Sequence, residues 1–353
     1  MKKSYAFLAG LALMSAFTAC SNDDEMPTQM AQTNKSELVV NRVGVAELAT
    51  KSGIRATSFS NQESLGLYIY RGDLTGDYND DSRATSTVNV EYKLGTDNMT
   101  WSAPTQSIIL SNIVGNVFAY YPYSAANATQ PGDAIPITVA ANQATGQSAG
   151  TKDDNDQTDY MYATKVANVS NMAPSVNLTM NHALAMASFV FVQTDDPTAP
   201  YPGIGQVSKI VMQNGTGANK PLKTGDGTMN ISTGVVTGGT EGSITVEGIT
   251  TPTLLDKTDA SLVPHVLMYP AATVDANDVK VTVTVDGNDY TVGLPAVTGG
   301  WVAGKNYQYT LTMKGTGLEV NQVTITEWGT IAVNQKDEAI AQKPDNQNQT
   351  PNS

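Results

Sequence analysis

Cysteine is nearly absent: Cys20 is the only one in 353 residues. One thiol forms no internal disulfide and supports no cysteine-built zinc site. Histidine is almost as scarce, with only His182 and His265. Positive charge is also short. Lys and Arg number 20 against 33 Asp and Glu, a formal net charge of −13. That balance excludes the basic footprint that nucleic-acid phosphates require. Charged residues make up only 15% of the chain, and Thr, Asn, Gly and Ser exceed Lys and Glu, the composition of a secreted all-β protein. Long apolar runs are missing too. No segment after the N-terminus approaches the roughly 20 residues of a membrane-crossing helix.

The N-terminus is where the sequence is most specific. Lys2 and Lys3 precede an apolar run from Leu8 to Phe17, too short to span a bilayer, and small residues lead to Cys20. This arrangement resembles a bacterial lipoprotein signal. The resemblance implies that residues 1–19 are removed, that Cys20 carries a diacylglyceryl group and that the lipid ties the protein to the outer membrane. Asp23-Asp24-Glu25 resembles the export tag of surface lipoproteins in gut and oral anaerobes. With Cys20 consumed by lipid, no thiol is left as a nucleophile or ligand. Residues 20–36 are polar and aperiodic and read as a flexible tether.

More than 300 residues follow position 19, beyond what one hydrophobic core usually serves. Two β-sandwich domains are therefore expected, at 37–170 and 171–330, with a polar tail at 331–353. Apolar residues recur with period two between Gly, Pro and Asn punctuation. Leu38 to Leu48 predicts one strand, followed by an exposed polar loop from Ala49 to Arg55. Val88–Leu94, Val117–Tyr123 and Ile135–Ala140 predict further strands. Val166 to Ser175 reads as a soft break, with the domain boundary near Ser170, and Val176 to Val192 as a central strand. Val279–Leu294 predicts a hairpin, because Asp286-Gly287 supplies the positive φ of a tight turn.

Catalytic chemistry is hard to find. Gly146-Gln147-Ser148-Ala149-Gly150 matches a nucleophile elbow, but it lacks the buried strand before and the helix after that expose such a serine. His182 and His265 lie in apolar strands and read as hydrogen-bonded core residues. Asp153, Asn155, Gln157 and Asp159 alternate like the start of a calcium loop. However, Thr158 stands where glycine is required and Thr164 where glutamate is, so a solvated acidic loop is expected. Tyr120, Tyr121 and Tyr123 are either a sugar-stacking platform or half-buried strand positions. The sequence thus predicts no enzyme, no cofactor and no metal site.

Three blocks, taken together, resemble the fimbrillin family of type V pilus subunits and accessory lipoproteins of Bacteroides-like anaerobes. The first is Arg55-Ala56-Thr57 leading to Leu65-Gly66-Leu67-Tyr68-Ile69. The second joins Val117–Tyr123 to Asp159-Tyr160-Met161-Tyr162-Ala163 and to Val176–Val192. The third is Gly304–Leu311 followed by Leu318–Val320 and Val323–Trp328. The resemblance implies two transthyretin-like sandwiches in tandem and a lipid-anchored precursor. It also implies an Arg-specific cut between Arg55 and Ala56, then assembly by strand exchange with other pilus subunits. The edge given up would be Leu38, Val39, Val40, Val43, Val45 and Leu48. The expected place is the outer membrane and then a surface pilus, with a host or bacterial surface receptor as a further partner. Ile331 and Val333 make the tail only a weak donor strand. The alternative is a surface-anchored glycan-binding lipoprotein.

Overall fold

Among the described residues, the runs Val90–Leu94, Ile135–Val139, Ser175–His182 and Val279–Val285 alternate and form strands with one buried face. The computed structural model describes residues 35–46, 59, 62–78, 87–143, 157–194, 197–249 and 264–327. Cys20, Leu48, Arg55, Ala56, the Gly146–Gly150 match, Asp153 to Asp156 and the tail beyond Glu327 lie outside the described residues.

The chain opens with β1 (Ser36–Glu37) and β2 (Val39–Val45), then β3 (Ser64–Tyr70), β4 (Val90–Leu94), β5 (Trp101–Ser102) and β6 (Ile109–Leu110). β7 (Gly115–Tyr121), β8 (Ile135–Val139), β9 (Met161–Ala163), β10 (Val166–Val169) and β11 (Ser175–His182) follow. The second half begins with β12 (Ala185–Gln193), β13 (Val207–Asn214), β14 (Lys223–Met229), β15 (Val236–Glu241) and β16 (Ser243–Val246). It ends with β17 (His265–Met268), β18 (Val279–Val285), β19 (Asn288–Gly293), β20 (Lys305–Lys314) and β21 (Gly317–Glu327). Apart from a 3-10 turn at Ala125–Asn127, the described residues hold no helix.

In β8, Ile135, Ile137 and Val139 are buried while Pro136 and Thr138 are exposed, and β11 and β18 alternate in the same way. β3, β7, β12 and β20 are instead buried on nearly every residue. A strand covered on both faces has no reason to alternate.

The first sheet runs β2-β11-β9-β7-β3-β4-β5, with β10 also paired to β7. It curls until its end strands, β2 and β5, approach within 8 Å between Cα atoms. Leu65, Leu67, Ile69, Val117 and Ala119 point inward to meet Leu38, Val40, Leu178, Met180 and Tyr92 in one core. The opposite face of β3 and β7 carries Tyr68, Tyr70, Phe118 and Tyr120 into a second, larger core. That core is shared by the sheets β17-β12-β20-β21, β16-β13-β18-β19 and β15-β14-β8. The arrangement is an all-β, sandwich-like fold.

One expectation needs correction. Val176–Val192 is not one central strand but two, β11 and β12, which belong to different sheets. The strand after Ser170, β11, still pairs with β2 and β9. The chain changes sheets at Ala183–Leu184, where alternation gives way to continuous burial. The Val279–Leu294 hairpin forms as read. β18 pairs with β19 through Asp286 and Gly287, at φ 49° and 79°.

Candidate functional site

The 38–48 run holds the only residues of the expected site that the structure describes. β2 occupies one end of the first sheet and pairs in parallel with β11, from Ser175↔Val39 to Met180↔Val45. The alternation of this run sets which side chains enter the core. Leu38 and Val40 are 2% and 3% exposed, whereas Val39 is 45% exposed. Val43 and Val45 are half-buried against the same core. Full burial of such side chains stabilises by about 1.5–3 kcal/mol each.

β1 and β2 answer to different neighbours. β1 pairs antiparallel with β6, Ser36↔Leu110 and Glu37↔Ile109. The Leu38 amide continues that pairing by donating to the Ile108 carbonyl at 2.8 Å, and the Val39 amide turns to the Pro174 carbonyl at 2.9 Å. The Ala46 amide closes the run on the Met180 carbonyl at 2.8 Å. Tyr92, on β4, donates its hydroxyl to the Leu38 carbonyl at 3.0 Å and accepts the Ile108 amide at 3.3 Å. Because β11 is parallel to β2 and distant in sequence, no hairpin turn ties the two together. Withdrawing β2 would leave the outer edge of β11 unpaired without breaking another strand pair of that sheet.

The other candidate residues lie apart from this edge. His182, at the end of β11, has its Nδ1 3.0 Å from both carboxylate oxygens of Asp159. The pair is buried and ties the segment leading into β9 to the end of β11, next to the His182↔Met161 pairing. Asp159 of the calcium-like stretch is thus engaged by a histidine. His265 is buried on β17, paired with Ser188. Among the described residues, no three His, Cys, Asp or Glu side chains gather as a metal site.

The three tyrosines do not form an open platform. Tyr120 is buried, with its hydroxyl donating to Asn89 Oδ1 at 2.8 Å and accepting the Asn127 side-chain amide at 3.1 Å. Tyr121 is half-buried and donates to Glu63 at 2.9 Å.

Sequence reasoning missed Tyr92 and the Asp159–His182 pair. Tyr92 looked like one more apolar position of an alternating strand. Asp159 and His182 are separated along the chain and meet only through strand pairing.

The fimbrillin-like family profile matches residues 50–328. Among solved structures, a Bacteroides uniformis protein provisionally assigned to cell adhesion is 20% identical with a TM-score of 0.56. That match covers 84% of this chain and 99% of the other. A Bacteroides ovatus protein with the same provisional assignment is 18% identical with a TM-score of 0.55, over 84% of this chain and 98% of its own. Comparison with curated proteins finds no match. The two structural likenesses show the fold, and the profile covers most of the chain: it belongs to the fimbrillin-like family.

Proposed function

We propose that this chain is a structural subunit or accessory adhesin of a cell-surface pilus and has no enzymatic role. In this reading it is exported as a lipoprotein lipidated at Cys20 and held at the outer membrane. It is then cut between Arg55 and Ala56 and joined to other pilus subunits by strand exchange. The mature chain carries two sandwich modules in tandem. The provisional cell-adhesion assignment of the two Bacteroides structures fits the adhesin arm, with a host or bacterial surface receptor as partner.

The observation that carries the reading is the position of β2. It is an end strand whose Val40, with the preceding Leu38, is buried in the core, and it pairs in parallel with β11 and with no other strand of that sheet. Its loss would expose a row of unpaired backbone groups and an apolar slot, which an incoming strand satisfies together. Such contacts are head-to-tail and do not close, so they generate filaments.

The test is an Arg-specific protease applied to purified precursor. Cleavage releases or loosens the 38–48 strand and starts polymerisation, and Arg55→Ala blocks the conversion while the precursor stays folded. If the Arg55→Ala protein polymerises as readily as its parent, either the site or the trigger is wrong. Sequencing the surface form gives a free terminus at Ala56 on this reading; a blocked one at Cys20 contradicts it.

A further inference from the structure

Two exposed methionines mark opposite ends of the first sheet. Met172 is 83% exposed, in the turn between β10 and β11, and Met99 is 74% exposed, in the turn between β4 and β5. β3 gives the direction between them. Its last residue, Tyr70, pairs with Asn116, whose neighbour Gly115 pairs with Val169 just before the Met172 turn. Its first residue, Ser64, pairs with Lys93 just before the Met99 turn. The 7 extended residues of β3 set the two ends about 20 Å apart.

Met172 does not stand alone. Val114, 53% exposed, precedes Gly115, and the Asn171 amide donates to the Ser111 carbonyl at 2.8 Å, which sets the two turns side by side. The exposed Val39 adjoins them, its amide donating to the Pro174 carbonyl at 2.9 Å. The chain also enters the fold here: the Ser36 hydroxyl donates to the Asn171 carbonyl at 3.2 Å. Cys20 lies sixteen positions before Ser36. A coil of that length averages about 20–24 Å from end to end. A lipid on Cys20 therefore keeps the Met172 end within reach of a bilayer, and the Met99 end lies one strand length further off.

Resting on the lipoprotein reading above, we infer that Met172 and Val114, with Val39 beside them, form an apolar foot on the membrane. The occupant of this patch is a lipid surface, and the contact stands the precursor end-on. Apolar residues scattered singly over a surface need no partner, but these three are neighbours at the point where the anchor joins the fold. The posture bears on processing. β2 runs away from the foot, and the Ala46 amide closes it on Met180 at the far end. Beyond the processing site, the Phe59 ring packs on Trp101 and Tyr121, with centroids 5.5 and 5.3 Å away. The Gln62 amide then donates to the Leu94 carbonyl at 3.1 Å. Both flanks of the segment carrying Arg55 thus belong to the Met99 end, which the foot turns away from the membrane and toward a soluble protease.

The test uses lipidated, uncut precursor in phosphatidylcholine vesicles. Cys20 is the only native cysteine and its thiol is taken by lipid, so Met172→Cys or Met99→Cys supplies the single free thiol for an environment-sensitive dye. The dye at position 172 is expected to shift its emission to the blue and to be shielded from an aqueous quencher. At position 99 it should keep its solution spectrum, and Val114→Asp should reduce the shielding at 172. Equal spectra at the two positions overturn the foot, as does shielding at 172 that Val114→Asp leaves unchanged. Shielding at 172 in the non-lipidated chain, rising with protein concentration, assigns the patch to a second copy and overturns it as well. The lipoprotein reading survives each of these results as long as mass spectrometry finds the lipid on Cys20; its absence overturns both. Should Val114→Asp not fold, the comparison of positions 172 and 99 decides.

Discussion

At the scale of single residues, neighbouring positions of the 38–45 run carry very different weight. Leu38→Ala is expected to cost about 2–4 kcal/mol, because it empties a buried site. Val39→Ala, on the exposed face, should stay within about 0.5 kcal/mol. Urea unfolding of the uncut precursor measures both, and similar losses at the two positions would contradict the burial pattern. Asp286 gives a pH dependence. The backbone amides of Gly205 and Gln206 donate to its carboxylate at 2.9 Å each, and the Tyr201 hydroxyl donates at 2.8 Å. These donors hold its pKa below the usual carboxylate range. The folded pKa is depressed, so the contribution is present above the ordinary carboxylate pKa and is lost as pH falls through the folded value. Between about pH 5 and pH 2 the urea midpoint of the parent should therefore fall more steeply than that of Asp286→Asn. Parallel curves would remove the carboxylate from the account. None of this was legible at Asp286, where the sequence showed only a turn.

At the scale of elements, two glycines separate conformation from space. Gly287 closes the β18–β19 hairpin at φ 79°, and a Cβ there would meet nothing within 4 Å. Gly287→Ala should thus cost only the left-handed backbone penalty, about 1–2 kcal/mol. Gly66, on β3, has the Tyr120 ring and Asn89 Oδ1 directly where a Cβ would stand. Gly66→Ala must displace the buried Tyr120–Asn89 hydrogen bond as well as the ring, and it should exceed the hairpin substitution. Thermal unfolding of the two variants checks the order. The hairpin was readable because a turn dipeptide and two alternating runs are local information. The role of Gly66 was not, since Tyr120 and Asn89 reach it from other parts of the chain.

At the scale of the molecule, the larger core decides cooperativity. Tyr68 and Phe118 from the first sheet share it with Phe189, Tyr309 and Val281 from the second half, and β8 crosses to pair with β14. The two proposed modules, 37–170 and 171–330, should therefore unfold together. Calorimetry of the full chain should give one transition, with van't Hoff and calorimetric enthalpies in agreement. Two resolved transitions would mean that the modules at 37–170 and 171–330 are energetically independent. Cutting after Arg55 should lower the transition temperature without removing the transition, because β2 contributes to only one edge of the smaller core.

The all-β class, the Asp-Gly hairpin and the alternation of β4, β8, β11 and β18 were settled by the sequence itself, because periodicity and turn chemistry act between near neighbours. That 38–48 forms a strand was legible for the same reason, but that Leu38 and Val40 face the core while Val39 is exposed was not. Tertiary structure alone decided that β2 pairs in parallel with β11, that the chain changes sheets at Ala183–Leu184, and that Asp159 meets His182. It alone placed the Tyr92 hydroxyl between Ile108 and Leu38. Each of these depends on which distant strands become neighbours, and that choice follows from burying the faces of several sheets at once, an energy no single segment carries.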